Sequence, residues 1–261
     1  MVSGVMPTKK NQRGMSLIEL MIALVMGLIT IAATIALYLV LVKGSILAIQ
    51  STRLNYDVDS LVQLIVNDLR RAGYWADAVS GYNPTTNPFT TNDTDINITS
   101  DWDSTTSGNQ ACITYAYDAD LDTNVDNDEL FGFRLNSNGS VSLRLSANSV
   151  GVATSCTDAN GLWEALTVTD GTEQVDITNL SFSLSGSSCD NVDDSSAAYP
   201  DVLCKTVINT PLAYPSVATG NRLVGRRTVN INLDAQMGRD ENIRKNANAT
   251  VVVANDTLEL K

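Results

Sequence analysis

The sequence predicts an α+β chain, with one long N-terminal helix followed by a mainly antiparallel β domain. Three observations predict it. Residues 15–42 hold no Lys, Arg, Asp or Pro, and Glu19 is their single charge. Leu54, Val58, Leu61, Ile65, Leu69 and Ala72 then recur at intervals of three and four, which is one face of an α-helix. Beyond Gly73, a natural helix stop, the composition turns to Thr, Ser, Asn, Asp and Gly. Short alternating runs such as Val-Asn-Ile-Asn-Leu at 229–233 carry the period of a half-buried strand.

The helix is expected over 15–73, with its membrane-spanning part at about 15–42. As a helix, that part is about 42 Å long, enough to cross a bilayer. Lys9, Lys10 and Arg13 precede it without an acidic residue, so the first residues belong in the cytoplasm and the bulk of the chain outside. The run is too long for the core of a secretory signal, and no Ala-x-Ala site closes it. A plain anchor has no use for Glu19, because a carboxylate in hydrocarbon is costly unless it is paired or protonated. Gly27 and Gly44 are the weak points of the helix, each costing about 1 kcal/mol relative to Ala. Gly27 is a candidate hinge, although ordinary helix packing is the commoner reason for such a glycine.

Gly14 followed by Met15-Ser16-Leu17-Ile18-Glu19-Leu20-Met21 resembles the class III signal of type IV pilins and type II secretion pseudopilins. The resemblance implies that a prepilin peptidase cuts between Gly14 and Met15, removing residues 1–14 as a leader, and methylates the new amino group of Met15. Gly14 suits that step because a residue without Cβ lets an enzyme approach the backbone closely. Members of the superfamily usually carry Phe where this chain has Met15. Glu19 becomes the fifth residue of the mature chain and the implied assembly residue. Entry into a filament buries it among apolar helices, where the ammonium of a neighbouring Met15 neutralises it and sets the register between subunits. The implied partners are other minor and major pilins, the prepilin peptidase and an inner-membrane assembly platform, with membrane lipid before assembly. The implied location is a single pass of the inner membrane with a periplasmic C-terminal domain, then the pilus at the cell surface.

Residues 74–261 form the exported β-rich domain, long enough to hold a core of its own. Loss of the leader takes the net charge from −12 to −15, so the domain lacks the basic footprint that binding nucleic acid requires. Cys112, Cys156, Cys189 and Cys204 all lie in this part, an even count that reads as two disulfides with three connectivities open. The favoured pairing joins Cys189 with Cys204, closing a Ser/Asp/Asn-rich loop, and Cys112 with Cys156. Their spacings match no zinc pattern, and the chain has no His. Strands are expected at 111–117, 130–135, 141–145, 164–169, 175–184, 202–208, 224–233 and 250–253. Residues 82–107 read as a long surface excursion.

Three landmarks narrow the resemblance: Asp68-Leu69-Arg70-Arg71-Ala72-Gly73-Tyr74, Ala111-Cys112-Ile113-Thr114-Tyr115-Ala116-Tyr117-Asp118, and the stretch from Thr250 to Leu258. In this order they are similar to PilW-type minor pilins. That resemblance implies a subunit that joins the tip of the pilus and primes its assembly, supporting adhesion or motility. A bulky acidic head suits a tip better than a repeated shaft, since like charges repel when stacked. Two alternatives stand beside this reading, a minor pseudopilin of a type II secretion system and a pilus-borne calcium-dependent adhesin.

One segment carries ligand chemistry. With Asp118 as position one, Asp118, Asp120, Asp122, Asn124, Asp126 and Glu129 occupy positions one, three, five, seven, nine and twelve, the ligand spacing of an EF-hand loop. Five carboxylates at those positions repel one another unless a hard cation bridges them, and calcium fits best. The pattern departs from an EF-hand in two ways. Thr123 stands at position six in place of Gly, so the sharp turn must be made differently, and the flanks read as strands. The competing reading is a solvated acidic turn.

Arg222, Arg226 and Arg227 read as a solvated strand face balancing nearby acids, and Trp75, Trp102 and Trp163 as core or loop anchors. Lacking His and a nucleophile elbow, the chain offers no acyl-transfer or metallohydrolase machinery and reads as a non-enzyme.

Overall fold

The computed structural model describes residues 14–78, 87–91, 93–100, 102, 111–167, 175–194, 198–200, 204, 220–238 and 240–260. The chain divides into two compact units, Met1–Ile49 and Gln50–Lys261. The α+β fold is as the sequence predicts, with one long apolar N-terminal helix followed by antiparallel sheets. Helix α1 runs Leu17–Leu69, beginning in the first unit and ending in the second.

Within the first unit the helix exposes almost every large apolar side chain it has, from Leu17 through Ile49. Such a surface is unfavourable in water but natural in hydrocarbon, where a helix satisfies its own backbone polar groups. Gly27 lies inside unbroken helix, its carbonyl accepting from Thr30 Oγ1 at 2.8 Å.

Within the second unit the last five turns of α1 bury Leu54, Val58, Leu61, Ile65 and Leu69. In chain order the strands are β1 Asn97–Thr99, β2 Cys112–Ala116, β3 Leu130–Leu135, β4 Val141–Ala147, β5 Gly161–Ala165 and β6 Val175–Ser183. They continue with β7 Ser188–Asn191, β8 Ala198–Pro200, β9 Arg222–Arg226, β10 Thr228–Met237, β11 Asp240–Val252 and β12 Thr257–Leu260. β1 to β5 form an antiparallel meander, while the orders β11-β10-β6 and β12-β9-β7-β8 define two further sheets. The core joins the helix stripe to Ile113, Tyr115 and Phe133 of the meander and to Val229, Ile231, Leu233, Ala235 and Met237 of β10. Each fully buried side chain of this kind contributes roughly 1.5–3 kcal/mol.

The strand pattern departs from expectation where burial is slight. The single strand expected at 224–233 is two, β9 and β10, separated at Arg227. β11 begins at Asp240, ten residues before the expected 250, because between Ile243 and Val251 this edge strand turns only Ala247 and Ala249 toward the core and so lacks a hydrophobic signal there. β5 begins three residues before the expected 164, and residues 168–169 lie outside the described residues. The expected strand at 202–208 also lies outside them, apart from Cys204. The predicted surface excursion contains β1 and packs Phe89 and Ile96 inside.

The three landmark segments meet at the C-terminal end of α1. Asp68 accepts hydrogen bonds from Tyr115 Oη and, at 3.2 Å, from Tyr117 Oη, and pairs with Arg71. Burial first, and the Asp68 carboxylate second, push the Tyr115 hydroxyl well above its ordinary range, so it stays protonated and donates. Gly73, at φ +73°, donates its N–H to Ala116 O at 2.7 Å. A Cβ there would fall 2.7 Å from Arg227 Nη2 and 2.9 Å from Thr90 Cγ2, so the joint requires glycine. Ala254 N donates to Arg70 O at 3.1 Å, and Asn255 Nδ2 to Ala72 O at 3.2 Å.

Arg227 is a correction to the solvated-face reading. Arg222 and Arg226 do pair at the surface with Asp193 and Asp190, but the Arg227 side chain is only 4% exposed. Its guanidinium donates to buried Asp95, to Asn255 O and to Ala72 O, supplying donors to a carbonyl that the helix end leaves unpaired. Trp102 and Trp163 stack against the buried Arg134 at 4.4 and 4.3 Å, which fits their reading as anchors.

Two disulfides staple the domain, Cys112 to Cys156 across 44 residues and Cys189 to Cys204 across 15. Loop-closure entropy in the unfolded chain sets their relative worth, about 4 kcal/mol for the longer loop and about 3 kcal/mol for the shorter. Urea denaturation of Cys112→Ala/Cys156→Ala and of Cys189→Ala/Cys204→Ala is therefore expected to rank the first pair as the costlier loss. The reverse order would show that native contacts, not chain entropy, decide it.

Candidate functional site

Two places carry chemistry, the entry to α1 and the loop joining β2 to β3. At the entry, residues 14–16 precede the helix, and Gly14 has no neighbouring heavy atom within 4 Å of an ideal Cβ. Ser16 caps the helix, its Oγ and carbonyl accepting from Glu19 N at 3.3 and 3.1 Å. The Gly14–Met15 bond thus lies in exposed backbone ahead of the helix. Glu19 is exposed on the first turn, and its negative charge suits the positive end of the helix dipole.

The β2–β3 loop places its acids in two tiers. Asp118 and Glu129 are each only 2% exposed, whereas Asp120, Asp122 and Asp126 are exposed. A carboxylate oxygen from each of Asp118, Asp120 and Glu129 lies within 4.8 Å of the others, and the same holds for Asp120, Asp122 and Asp126. Asp120 belongs to both groups and joins the tiers. Asn124 is occupied locally, its N donating to Asp122 Oδ1 at 2.8 Å and its Nδ2 to Asp122 O at 3.1 Å.

Glu129 accepts from backbone donors that include Ala119 N at 2.6 Å and Asp126 N at 3.1 Å. Burial raises its carboxyl above the usual range, those donors oppose the shift, and the nearby Asp118 charge adds to it. Asp118 Oδ2 accepts from Ala76 N at 3.0 Å, while Oδ1 is buried with no hydrogen-bond partner among the described residues. Neither buried acid has an ion-pair partner among those residues. Such an arrangement is expensive unless a cation completes it. The cluster can therefore hold a metal ion.

Thr123 corrects the expectation that position six turns differently from an EF-hand. It adopts φ +74°, the left-handed conformation that glycine ordinarily supplies, with Leu121 at φ +69° two residues before. For a β-branched residue this conformation costs roughly 1–2 kcal/mol. Thr123→Gly is expected to raise stability by up to about 1 kcal/mol after the entropy glycine adds to the unfolded chain. Thermal melting should show a rise of about 2–4 °C; a fall would mean that the Thr123 side chain holds the turn.

A family model described as "Prokaryotic N-terminal methylation motif" matches residues 9–35. A second, described as "Prepilin peptidase-dependent protein B", matches residues 47–253 and so spans most of the chain. The chain belongs to the prepilin peptidase-dependent protein B family. No curated protein and no solved structure matches it. The match for this family covers the acidic loop and the joint at the end of α1 apart from Ala254 and Asn255. The methylation motif covers Gly14, Met15 and Glu19 in one segment. A prepilin peptidase-dependent protein of this kind is pilin-like and anchored by one apolar helix.

Sequence reasoning reached the acids of the loop but missed what makes two of them unusual. The burial of Asp118 and Glu129 has one legible cue: each adjoins a strand, Asp118 through Tyr117 and Glu129 next to Leu130. The roles of Asp95 and Arg227 had none, because 132 residues separate the partners.

Proposed function

We propose that this protein is a minor type IV pilin. It is inserted in the inner membrane with its β domain in the periplasm, cut by prepilin peptidase between Gly14 and Met15, methylated at Met15, and incorporated near the pilus tip to initiate assembly. The observation that carries this reading is the N-terminal segment. A cleavable glycine bond sits in exposed backbone, and a lone carboxylate follows on the first turn of a helix whose next turns are wholly apolar. The PilW-like landmarks and the large acidic head favour a minor, terminal place over the shaft. Its partners are other minor and major pilins and the assembly platform, and deletion should reduce surface filaments and twitching.

The test is to express the full chain with and without prepilin peptidase and read the mature N-terminus by mass spectrometry. N-methylated Met15, found also in sheared filaments, is the expected result. An intact leader in the presence of the peptidase would overturn the reading. We further propose calcium as the ion of the acidic loop, because the only ligands there are hard oxygens, several on exposed side chains able to adapt to a flexible coordination shell.

A further inference from the structure

We propose that calcium bound by loop 118–129 acts as a clasp, fastening the segment that leaves the long helix to the β domain, so that the joint tightens when the ion is present. This rests on the reading of the loop as a calcium site, but it assigns the site a task.

Asp118 is the connecting residue. Its N donates to Tyr74 O at 3.0 Å, and its Oδ2 accepts from Ala76 N at 3.0 Å, so one residue grips residues 74–76 through both backbone and side chain. Oδ1 is buried with no hydrogen-bond partner among the described residues, and one oxygen of the same carboxylate lies within 4.8 Å of an oxygen of Asp120 and of Glu129. An ion ligated by Oδ1, Asp120 and Glu129 draws Asp118 toward the loop. With Oδ2 still held by Ala76, the same ion orders the start of the chain beyond the helix. Asp122 and Asp126 group with Asp120 on the exposed side, where their charge draws the cation toward the inner acids.

The surrounding charges permit this. Arg70 and Arg71 line the surface pocket of about 400 Å³ to which Asp118 also contributes. Arg71 is turned away from the loop, pairing with Asp68 and lying 4.3 Å over the Tyr117 ring. Glu129 is held from the other side by Ala119 N and Asp126 N, so the loop closes on itself around the inner acids. Without an ion, two buried carboxylates face each other at one end of the loop. With it, their charge becomes the source of affinity.

The experiment uses the full chain in detergent micelles, titrated with calcium alone by calorimetry and followed by amide hydrogen exchange. Calcium is expected to bind and to slow exchange both in the loop and at residues 74–78. At about 100 times the dissociation constant, exchange through openings that release the ion slows about 100-fold. Asp122→Asn, at an exposed position, is expected to weaken both effects without unfolding the protein. Asp118→Asn is expected to be neutral or stabilising without calcium, because it relieves like-charge repulsion, and destabilising relative to the natural chain with it. Binding with protection confined to residues 119–129 would overturn the clasp while leaving the calcium site standing. No heat and no change in exchange up to millimolar calcium would overturn both.

Discussion

Glu19→Ala is expected to leave the protein inserted and cleaved at Gly14, yet to deplete it from sheared filaments by two orders of magnitude or more. In the membrane the first turn of the helix lies near the headgroups, where a carboxylate can reach water, so removing it costs insertion little. On the proposed reading, entry into a filament encloses the same turn among neighbouring apolar helices, together with the methylated amino group of Met15 on the adjoining subunit. Removing Glu19 leaves that ammonium buried without a partner, and breaking a buried pair costs about 3–5 kcal/mol. At 1.4 kcal/mol per factor of ten, incorporation falls by roughly a hundredfold to several thousandfold. The measurement is an immunoblot of sheared filaments against membranes, normalised to the mature form. Equal ratios for mutant and natural protein would sink the role assigned to Glu19. Glu19→Asp provides the calibration: it keeps the charge but shortens the reach, so its ratio should fall between the two.

Much of the architecture could be read before any coordinates, for a physical reason. The helix announces itself twice, first by an apolar run and then by a stripe whose residues all prove buried. β2, β3, β6 and β10 show themselves because each faces the core with alternating or continuous apolar residues. β7, β12 and all of β11 before Thr250 do not, since strands at edges or in small sheets bury little and leave a polar pattern. β11 illustrates this: Asn232 Nδ2 donates to Asn248 Oδ1 at 2.6 Å, and Asn246 Nδ2 to Asp234 Oδ1 at 2.6 Å, so its outward face is held by amides. In the acidic loop the spacing of the ligands was legible, whereas the depth of Asp118 was not. Depth depends on Tyr74 and Ala76, more than forty positions earlier in the chain. The three landmark segments show the same limit, since only folding reveals that they form a single joint.

Arg227→Ala is expected to destabilise the exported domain by about 3–5 kcal/mol, the cost of leaving Asp95 charged and unpaired in the interior. The side chains are 4% and 6% exposed, so water cannot replace the lost guanidinium without opening the structure. The loss is not confined to the pair. Arg227 also donates to Ala72 O at the helix end and to Asn255 O ahead of β12, so its removal loosens both segments from the sheet edge. For a domain of this length the melting temperature should fall by roughly 6–20 °C. Arg227→Lys separates charge from geometry, because one ammonium keeps the attraction to Asp95 but lacks the planar fork that serves several acceptors, and it should recover only part of the loss. In a double-mutant cycle, Asp95→Ala together with Arg227→Ala should cost less than the sum of the two single changes, by about 0.5–3 kcal/mol. Strict additivity would mean that the pair does not interact, and the joint would then rest on its other contacts, among them Gly73 N to Ala116 O and Asp68 with Tyr115.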